Sequence, residues 1–444
     1  MIQALRNAMT LPDLRRKLLY TLLILVIYRL AAHVPVPGVD QEALKGWLMD
    51  TTSGAGQLFN LLNLLSGGAV SNFSVMANGV YPYITATIIF QLLQPIIPSL
   101  QRMAEEGEAG RRKLNRLQYY VTIPLAMLQS FGQARIFSSG LEGRPILPHF
   151  GFSPAENILP TISVLIAMTA GTMFAIWLGE LITEQGIGNG LSLIIFSGIV
   201  ADVPFNLRRI WIQSPEEGVG MALVRVAVFL AITAITMFVI VVVQEGERRI
   251  MVQYGKRVRG IKVYGGGSTY IPLRVNMAGM IPLIFAQSFL TFPAVIAQFF
   301  VGSESVGVSR FATEVMNFFS GNSPWYGLLY FLAVVLFTYF YTDIMIQEQD
   351  LAGALQRQGG FIPGIRAGKK TAEYITAVYR RITLVGALFL GGVAVLPFIV
   401  DLFLKTRVLL ITASGLLIVV GVVIDTMRQL EAQLLMRHYE GFIR

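Results

Sequence analysis

The residues able to do covalent or metal chemistry are few and far apart. His33, His149 and His438 are the only histidines, no cysteine occurs, and no HExxH or paired-acid spacing links them. That excludes disulfides and a thiolate metal site, and it leaves no nucleophile–base pair on which to build a hydrolase. Gly265-Gly266-Gly267-Ser268 has the glycine content of a phosphate loop, but no Lys follows it and no strand–loop–helix pattern surrounds it. Gly186-Ile187-Gly188-Asn189-Gly190 is not a dinucleotide fingerprint either and reads as a tight turn between two apolar runs. The chain is therefore read as a non-enzyme without metal or cofactor, and any ATP spent in its work must be hydrolysed by a partner.

What surrounds these scattered groups is apolar. The 444 residues are 54% hydrophobic and 14% charged, with a mean hydropathy of +0.61. Soluble domains carry about 25% charged residues, so the chain is a polytopic membrane protein, all-α in class. The N-terminal LRNAMTLPDLRRK is basic and amphipathic, with no cleavable signal pattern. Ten spanning runs follow: Leu18–Val34, Ser74–Ile97, Leu117–Phe137, Ile158–Leu181, Leu191–Phe205, Met221–Val243, Met277–Phe300, Trp325–Met345, Ala377–Phe398 and Val408–Met427. Lys and Arg cluster before the first run and after the second, sixth, eighth and tenth, and this side collects most of the 35 basic residues. The positive-inside rule makes that side, and both termini, cytoplasmic. Five runs precede the boundary near 214–220 and five follow it, giving halves of 1–210 and 211–444. Odd-numbered halves in tandem have inverted topology, the arrangement of proteins with a central pathway.

The second run is the odd one. Before it, QLFNLLNLLSGGAV offers about 10 helical residues, half of the roughly 20 a span needs. The run itself carries Asn78, Gly79, Pro82, Gln91 and Pro95. Non-helical backbone at membrane depth is tolerated only where it is buried in protein or lines a watery cavity. A half-span leading into an interrupted span thus marks a channel or transporter. Ion-coupled transporters place charges at mid-membrane, whereas Arg29, Glu180, Asp343 and Asp425 all fall near run ends. A pathway with aliphatic centres gates by an apolar constriction and dewetting.

Two cytoplasmic connections exceed what topology needs, at about 245–275 and 347–376. EGERRIMVQYGKRVRGIKVYGGGSTYIPLR alternates apolar and polar residues around Tyr254–Arg257, the pattern of a β-hairpin. QEQDLAGALQRQGGFIPGIRAGKKTAEYI starts helical, then holds Gly359-Gly360, Pro363-Gly364 and Gly368, the pattern of a fixed loop. Each is either a solvated positive-inside loop or a docking surface for a large anionic partner, such as ribosomal RNA or an acidic protein face.

Four stretches, NFSVMANGVYPYITATIIFQLL, EQGIGNGLSLIIFSGIV, PLRVNMAGMIPLIFAQSFLTFPA and GGFIPGIRAGKKTAEYI, resemble the SecY family, the channel subunits of the bacterial Sec translocon. The resemblance runs from the basic N-terminus to the tenth run. It implies two inverted five-helix halves around a central hourglass pore in the inner membrane, with SecE- and SecG-like small subunits. The implied partners also include the SecA ATPase, the ribosome, signal peptides, nascent polypeptides and membrane lipid. Carried over by motif, the pore ring comprises Val80, Ile84, Leu191, Ile195, Ile284 and Ile418, with Val80 where the family pattern has Ile. The plug is the half-span 57–70, with Gln57, Phe59, Asn60, Leu61, Leu64, Ser66, Gly67 and Gly68. The lateral gate is the second and third spans against the seventh and eighth, with Thr85, Thr87, Gln91, Asn276 and Phe292 at its seam. Partner contacts fall on Arg248, Arg249, Lys256, Arg257 and Arg366. Outside that resemblance, a secondary transporter for a small solute fits the span count but not the charge pattern. A membrane anchor for a soluble complex would not need an interrupted span.

Overall fold

Each apolar run becomes a helix because nothing else can satisfy its backbone in lipid, and Pro, Gly and basic clusters set the ends. The structure is a computed structural model that describes residues 9–40, 44, 69–70, 73–139, 146–151, 157–212, 219–254, 257–259, 262–264, 267–301, 305–319, 324–349, 351–366, 368–404 and 412–442. In chain order the elements open with α1 (Pro12–Ala31), α2 (Tyr81–Leu93), α3 (Pro98–Glu105), α4 (Glu108–Ser139), α5 (Ile158–Gln185), α6 (Gly190–Ile212) and α7 (Val219–Glu245). Four strands follow: β1 (Glu247–Tyr254), β2 (Arg257–Arg259), β3 (Lys262–Tyr264) and β4 (Ser268–Arg274). The remainder is α8 (Ile281–Val301), α9 (Val306–Phe319), α10 (Pro324–Gln349), α11 (Leu351–Arg357), β5 (Gly360–Phe361), α12 (Lys369–Leu404) and α13 (Thr412–Phe442).

Each of the ten runs read from the sequence contains a helix among the described residues, the second only from Tyr81 onward. By length and hydropathy α5, α10 and α12 each suffice to cross a bilayer, and α2 with α3 makes a fourth as a pair bent by 106°. The bend has a local cause. Pro82 starts α2, Pro95 and Pro98 stop it, and its 13 residues reach only about 20 Å of the roughly 30 Å hydrocarbon core. Threonine hydroxyls inside the helices return their protons to the carbonyl four residues back, as Thr122 does to Gln118 at 2.7 Å and Thr338 to Val334 at 2.6 Å. The hydroxyl hydrogens of these two threonines are then not left facing an apolar neighbour.

The chain packs as two compact units. The first is Met1–Ala227, Ser288–Tyr326 and Val422–Arg444; the second is Val228–Gln287 and Gly327–Gly421. The first unit's core gathers Val36, Val70, Phe73, Ala77, Phe137, Val164, Met168 and Ala294, with the Phe73 and Phe137 rings 4.2 Å apart. The second unit's core includes Ile250, Val252, Leu273, Leu355, Ile362, Ile375, Val378 and Tyr379.

Residues 73–80 are held from three sides within the first unit. Val36 N–H donates to the Phe73 carbonyl and Val75 N–H to the Val34 carbonyl, both at 3.0 Å, pairing this stretch with the end of α1. Asn78 Nδ2 reaches across to Ser130 Oγ on α4 at 2.7 Å. On the third side, Gly171 of α5 lies so close to the Val75 carbonyl that a Cβ there would overlap it. Gly171→Ala is therefore expected to force the second span off α5 and lower stability by about 1–3 kcal/mol. A tryptophan-fluorescence melt of the detergent-solubilised protein checks this, and an unchanged midpoint would refute the contact.

Candidate functional site

Two regions carry the geometry that function needs, the second span in the first unit and the sheet built from the two long connections in the second. In the second span the helix begins only at Tyr81, after the non-helical stretch that Asn78 and Val75 anchor. Val80 is 1% exposed and Ile84 half-buried one turn later. On α6, Leu191 is half-buried against Gly179 and Ile195 is 3% exposed. In the second unit, Ile284 opens α8 at 7% exposure and Ile418 on α13 is fully buried. The plug residues Gln57, Phe59, Asn60, Leu61, Leu64, Ser66, Gly67 and Gly68 lie outside the described residues. Of the segment read as plug, Ala69 and Val70 are described and both are fully buried.

The hydroxyls expected at a polar seam are spent locally. Thr85 donates to the Tyr81 carbonyl at 3.0 Å and Thr87 to the Tyr83 carbonyl at 2.9 Å. Gln91 keeps a buried Oε1 without a protein partner, and Phe292 is 38% exposed. The tie between α2 and α8 is made by another residue. Tyr81 Oη, in a side chain 2% exposed, donates to the Ser288 carbonyl at 3.1 Å. Sequence reading missed Tyr81 because a tyrosine before Pro82 looks like an ordinary helix-start aromatic.

The long connections fold together. β1 pairs antiparallel with β4 from Glu247–Arg274 to Gln253–Ser268, and β2 with β3 up to Arg259–Lys262. The reversal thus falls beyond Arg259 and not at Tyr254–Arg257, because the alternation continues through a second short ladder. β5, over a hundred residues downstream, adds to the other edge of β1 through Gln253–Phe361 and Tyr254–Gly360. Tyr254 Oη meets Gln358 Oε1 at 3.3 Å. Leu355, Ile362 and the sheet's inner residues Ile250, Val252 and Leu273 then pack on Ile375, Val378 and Tyr379 of α12.

The loop after β5 has a built shape. Gly364 and Gly368 have φ of 81° and 102°, values a side chain resists. Thr371 Oγ1 donates to the Arg366 carbonyl at 3.0 Å, fixing the backbone while the guanidinium is exposed. Arg248 and Arg249 are also exposed, Arg249 in an ion pair with Glu247 at 2.7 Å. Arg257 lies on β2 and Lys256 is outside the described residues.

The profile of the SecY family matches residues 74–427, from the non-helical start of the second span to the last helix. The protein translocase subunit SecY of Streptomyces galbus is 41% identical over 451 residues, covering 100% of each chain, and that of Halalkalibacterium halodurans 42% over 450 residues with the same coverage. The chain belongs to the SecY family. Solved structures agree in fold: a protein-conducting channel superposes with a TM-score of 0.64 at 17% identity, over 94% of this chain and 91% of that one. Sec61 from a canine ribosome–channel complex gives 0.62 at 16% identity, with the same coverage. Like other SecY-family chains, this one is a multi-pass membrane protein.

Within this SecY-family chain the turn between α5 and α6 is held by distant residues that sequence reading did not single out. Thr21 Oγ1 accepts the Ile187 N–H at 3.2 Å, and Gln429 Oε1 accepts the Gly188 N–H at 3.0 Å. Asn189 caps the start of α6 by accepting the Ser192 N–H at 3.1 Å. The first and last helices thereby set where Leu191 begins.

The sheet's seal on its own loop is testable. A Cβ at Gly360 would sit 3.0 Å from Tyr254 Cε1, 3.2 Å from Leu355 and 3.3 Å from Val252. Gly360→Val should lift β5 off β1, and tryptic cleavage after Arg366 should rise about fivefold, as roughly 1 kcal/mol of easier local opening requires. Unchanged cleavage kinetics in detergent would show that β5 tolerates the branch.

Proposed function

We infer that this chain is the channel-forming subunit of a protein translocase. It passes unfolded polypeptide across the membrane and releases apolar segments sideways into lipid. The observation that carries this reading is the broken second span, whose non-helical stretch 73–80 is buried and anchored rather than exposed to lipid, in a chain of the SecY family. A small-solute transporter is not supported.

The aliphatic ring suits the task. A conduit for every side chain can make no strong specific contact, and Val80, Ile84, Leu191, Ile195, Ile284 and Ile418 would form a deformable gasket that admits a chain and resists ions. The half-span 57–70 would seal the ring from outside. The gate would be α2 and α4 against α8 and α10, with Thr85, Thr87, Gln91, Asn276 and Phe292 along it. Lipid then sorts the passing chain, at about −0.5 kcal/mol per central Leu against about +3 per central Lys. Polar contacts across such a seam average only ~0.6 kcal/mol, weak enough for a signal helix to part them. The halves 1–210 and 211–444 would be the two sides of that gate.

The partners follow the same logic. SecE- and SecG-like subunits would brace the helices in a bacterial inner membrane, with both termini cytoplasmic. The chain would take its drive from the SecA ATPase or the ribosome, docking at Arg248, Arg249, Lys256, Arg257 and Arg366. The planar guanidinium of Arg366 suits a carboxylate or a cluster of backbone carbonyls on the motor.

ATP-driven import of a secretory precursor into vesicles holding the purified complex tests the function, and its absence would overturn it. In that assay Arg366→Glu should cut import at least tenfold while the complex assembles normally, since charge reversal repels the acceptor. Normal import with normal motor binding would remove Arg366 from the docking role. Deleting 57–70 should leave a folded channel with raised closed-state conductance in planar bilayers. Conductance equal to that of the intact chain would make the segment scaffold.

A further inference from the structure

The root of the sheet holds a buried amide pair that neither the ring nor the docking arginines use. Asn276 Nδ2 donates to Gln244 Oε1 at 3.2 Å and to the Gly279 carbonyl at 2.9 Å. The two side chains are 5% and 4% exposed. Gln244 belongs to the last turn of α7, and Asn276 lies between β4 and α8. We propose that this pair is the joint through which partner contact at the sheet is passed to the first turn of α8, making Gln244 and Asn276 positioning residues for the channel.

Four observations within the second unit carry the proposal. The β1–β4 ladder does not end at Glu247–Arg274, because Val275 N–H donates onward to the Gly246 carbonyl at 2.9 Å. Five residues, 276–280, then separate the ladder from α8, and Asn276 bridges them through its second bond to Gly279, which turns at φ 63°. The Met280 carbonyl next receives the Leu283 and Ile284 N–H groups at 3.1 and 3.4 Å, starting the helix. Neighbouring helices close over the site. A Cβ at Gly386 of α12 would lie 2.5 Å from the Val275 carbonyl oxygen, so only glycine permits that approach, and Gly421 of α13 lies alongside, where a Cβ would be in ordinary contact 3.7 Å from Gln244 Nε2.

A displaced sheet thus finds no slack chain before Ile284. The chemistry of the joint matters as well. An apolar contact slides at little cost, whereas paired amides fix distance and register. Asn276 Oδ1 is buried without a protein partner. A purely structural amide is ordinarily saturated, so an open acceptor suits a contact that must shift and re-form.

The inference rests on the docking reading above, and the test separates the two. The chain has no cysteine, so Ile284→Cys labelled with an environment-sensitive fluorophore reports on α8 alone. Purified SecA ATPase is added to the labelled complex in vesicles, and binding, melting midpoint and emission shift are recorded. Gln244→Met and Asn276→Leu keep volume and remove the bond. Each should bind the motor within about twofold of the parent, melt normally and lose at least half of the emission shift, and the double variant should lose no more than either single. Gln244→Glu, whose carboxyl still accepts the Asn276 N–H, should retain the shift, and it carries the test with Gln244→Met if Asn276→Leu does not fold. A full shift in Gln244→Met, or losses that add in the double variant, would overturn the joint while leaving docking intact. No shift in the parent despite bound motor would overturn the transmission itself, and no motor binding at all would overturn the docking reading with it.

Discussion

Backbone N–H and C=O groups have no water to bind inside a bilayer, and the rest of this structure follows from how the chain meets that demand. Nine of the ten runs meet it in the ordinary way, by becoming helices. The second does not, and residues 73–80 satisfy their main chain against the end of α1 and within their own turns while Asn78 reaches α4. That local exception calls for tight neighbours. Gly171 is one, since any side chain there would occupy the place of the Val75 carbonyl. The first unit's core is correspondingly dense around Phe73, whose φ of 38° is the one positive value at a non-glycine among the described residues. A backbone strain of this kind persists only where packing over-determines it, and here the tilted ring contact with Phe137 and the β-bridge from Pro35 to Ser74 do so.

The two long connections solve a different problem. Topology alone asks of their basic residues no more than solvated loops. Instead the two connections share a three-stranded sheet whose inner face packs on α12. Arg248 and Arg249 are exposed on that sheet, and Arg366 is exposed on the loop that follows β5. Glycines at 364 and 368 give the Arg366 loop its shape, and Thr371 holds it.

The sequence by itself determined the class. Hydropathy and the defective second span required a polytopic membrane protein with a pathway, and motif resemblance supplied the family. These readings succeed because each depends on local composition or spacing. Alternation also announced a β-hairpin within 245–274, though not where the ladder turns.

Only the tertiary structure decided which polar groups face one another. Gly360 and Phe361 look like loop residues because two residues cannot show a strand period, and they become a strand only by reaching β1 across a hundred positions. Thr85 and Thr87 read as seam donors until their hydroxyls are seen returning to their own helix. Tyr81, Gln244, Asn276 and Gln429 find partners that no periodicity encodes, at separations of 207, 32 and 241 residues for the Tyr81–Ser288, Gln244–Asn276 and Gln429–Gly188 pairs. Membrane burial is satisfied by any inward-facing aliphatic, so composition fixes which elements form. A hydrogen bond needs one atom within about 3 Å of another, and that can be settled only when the helices have packed.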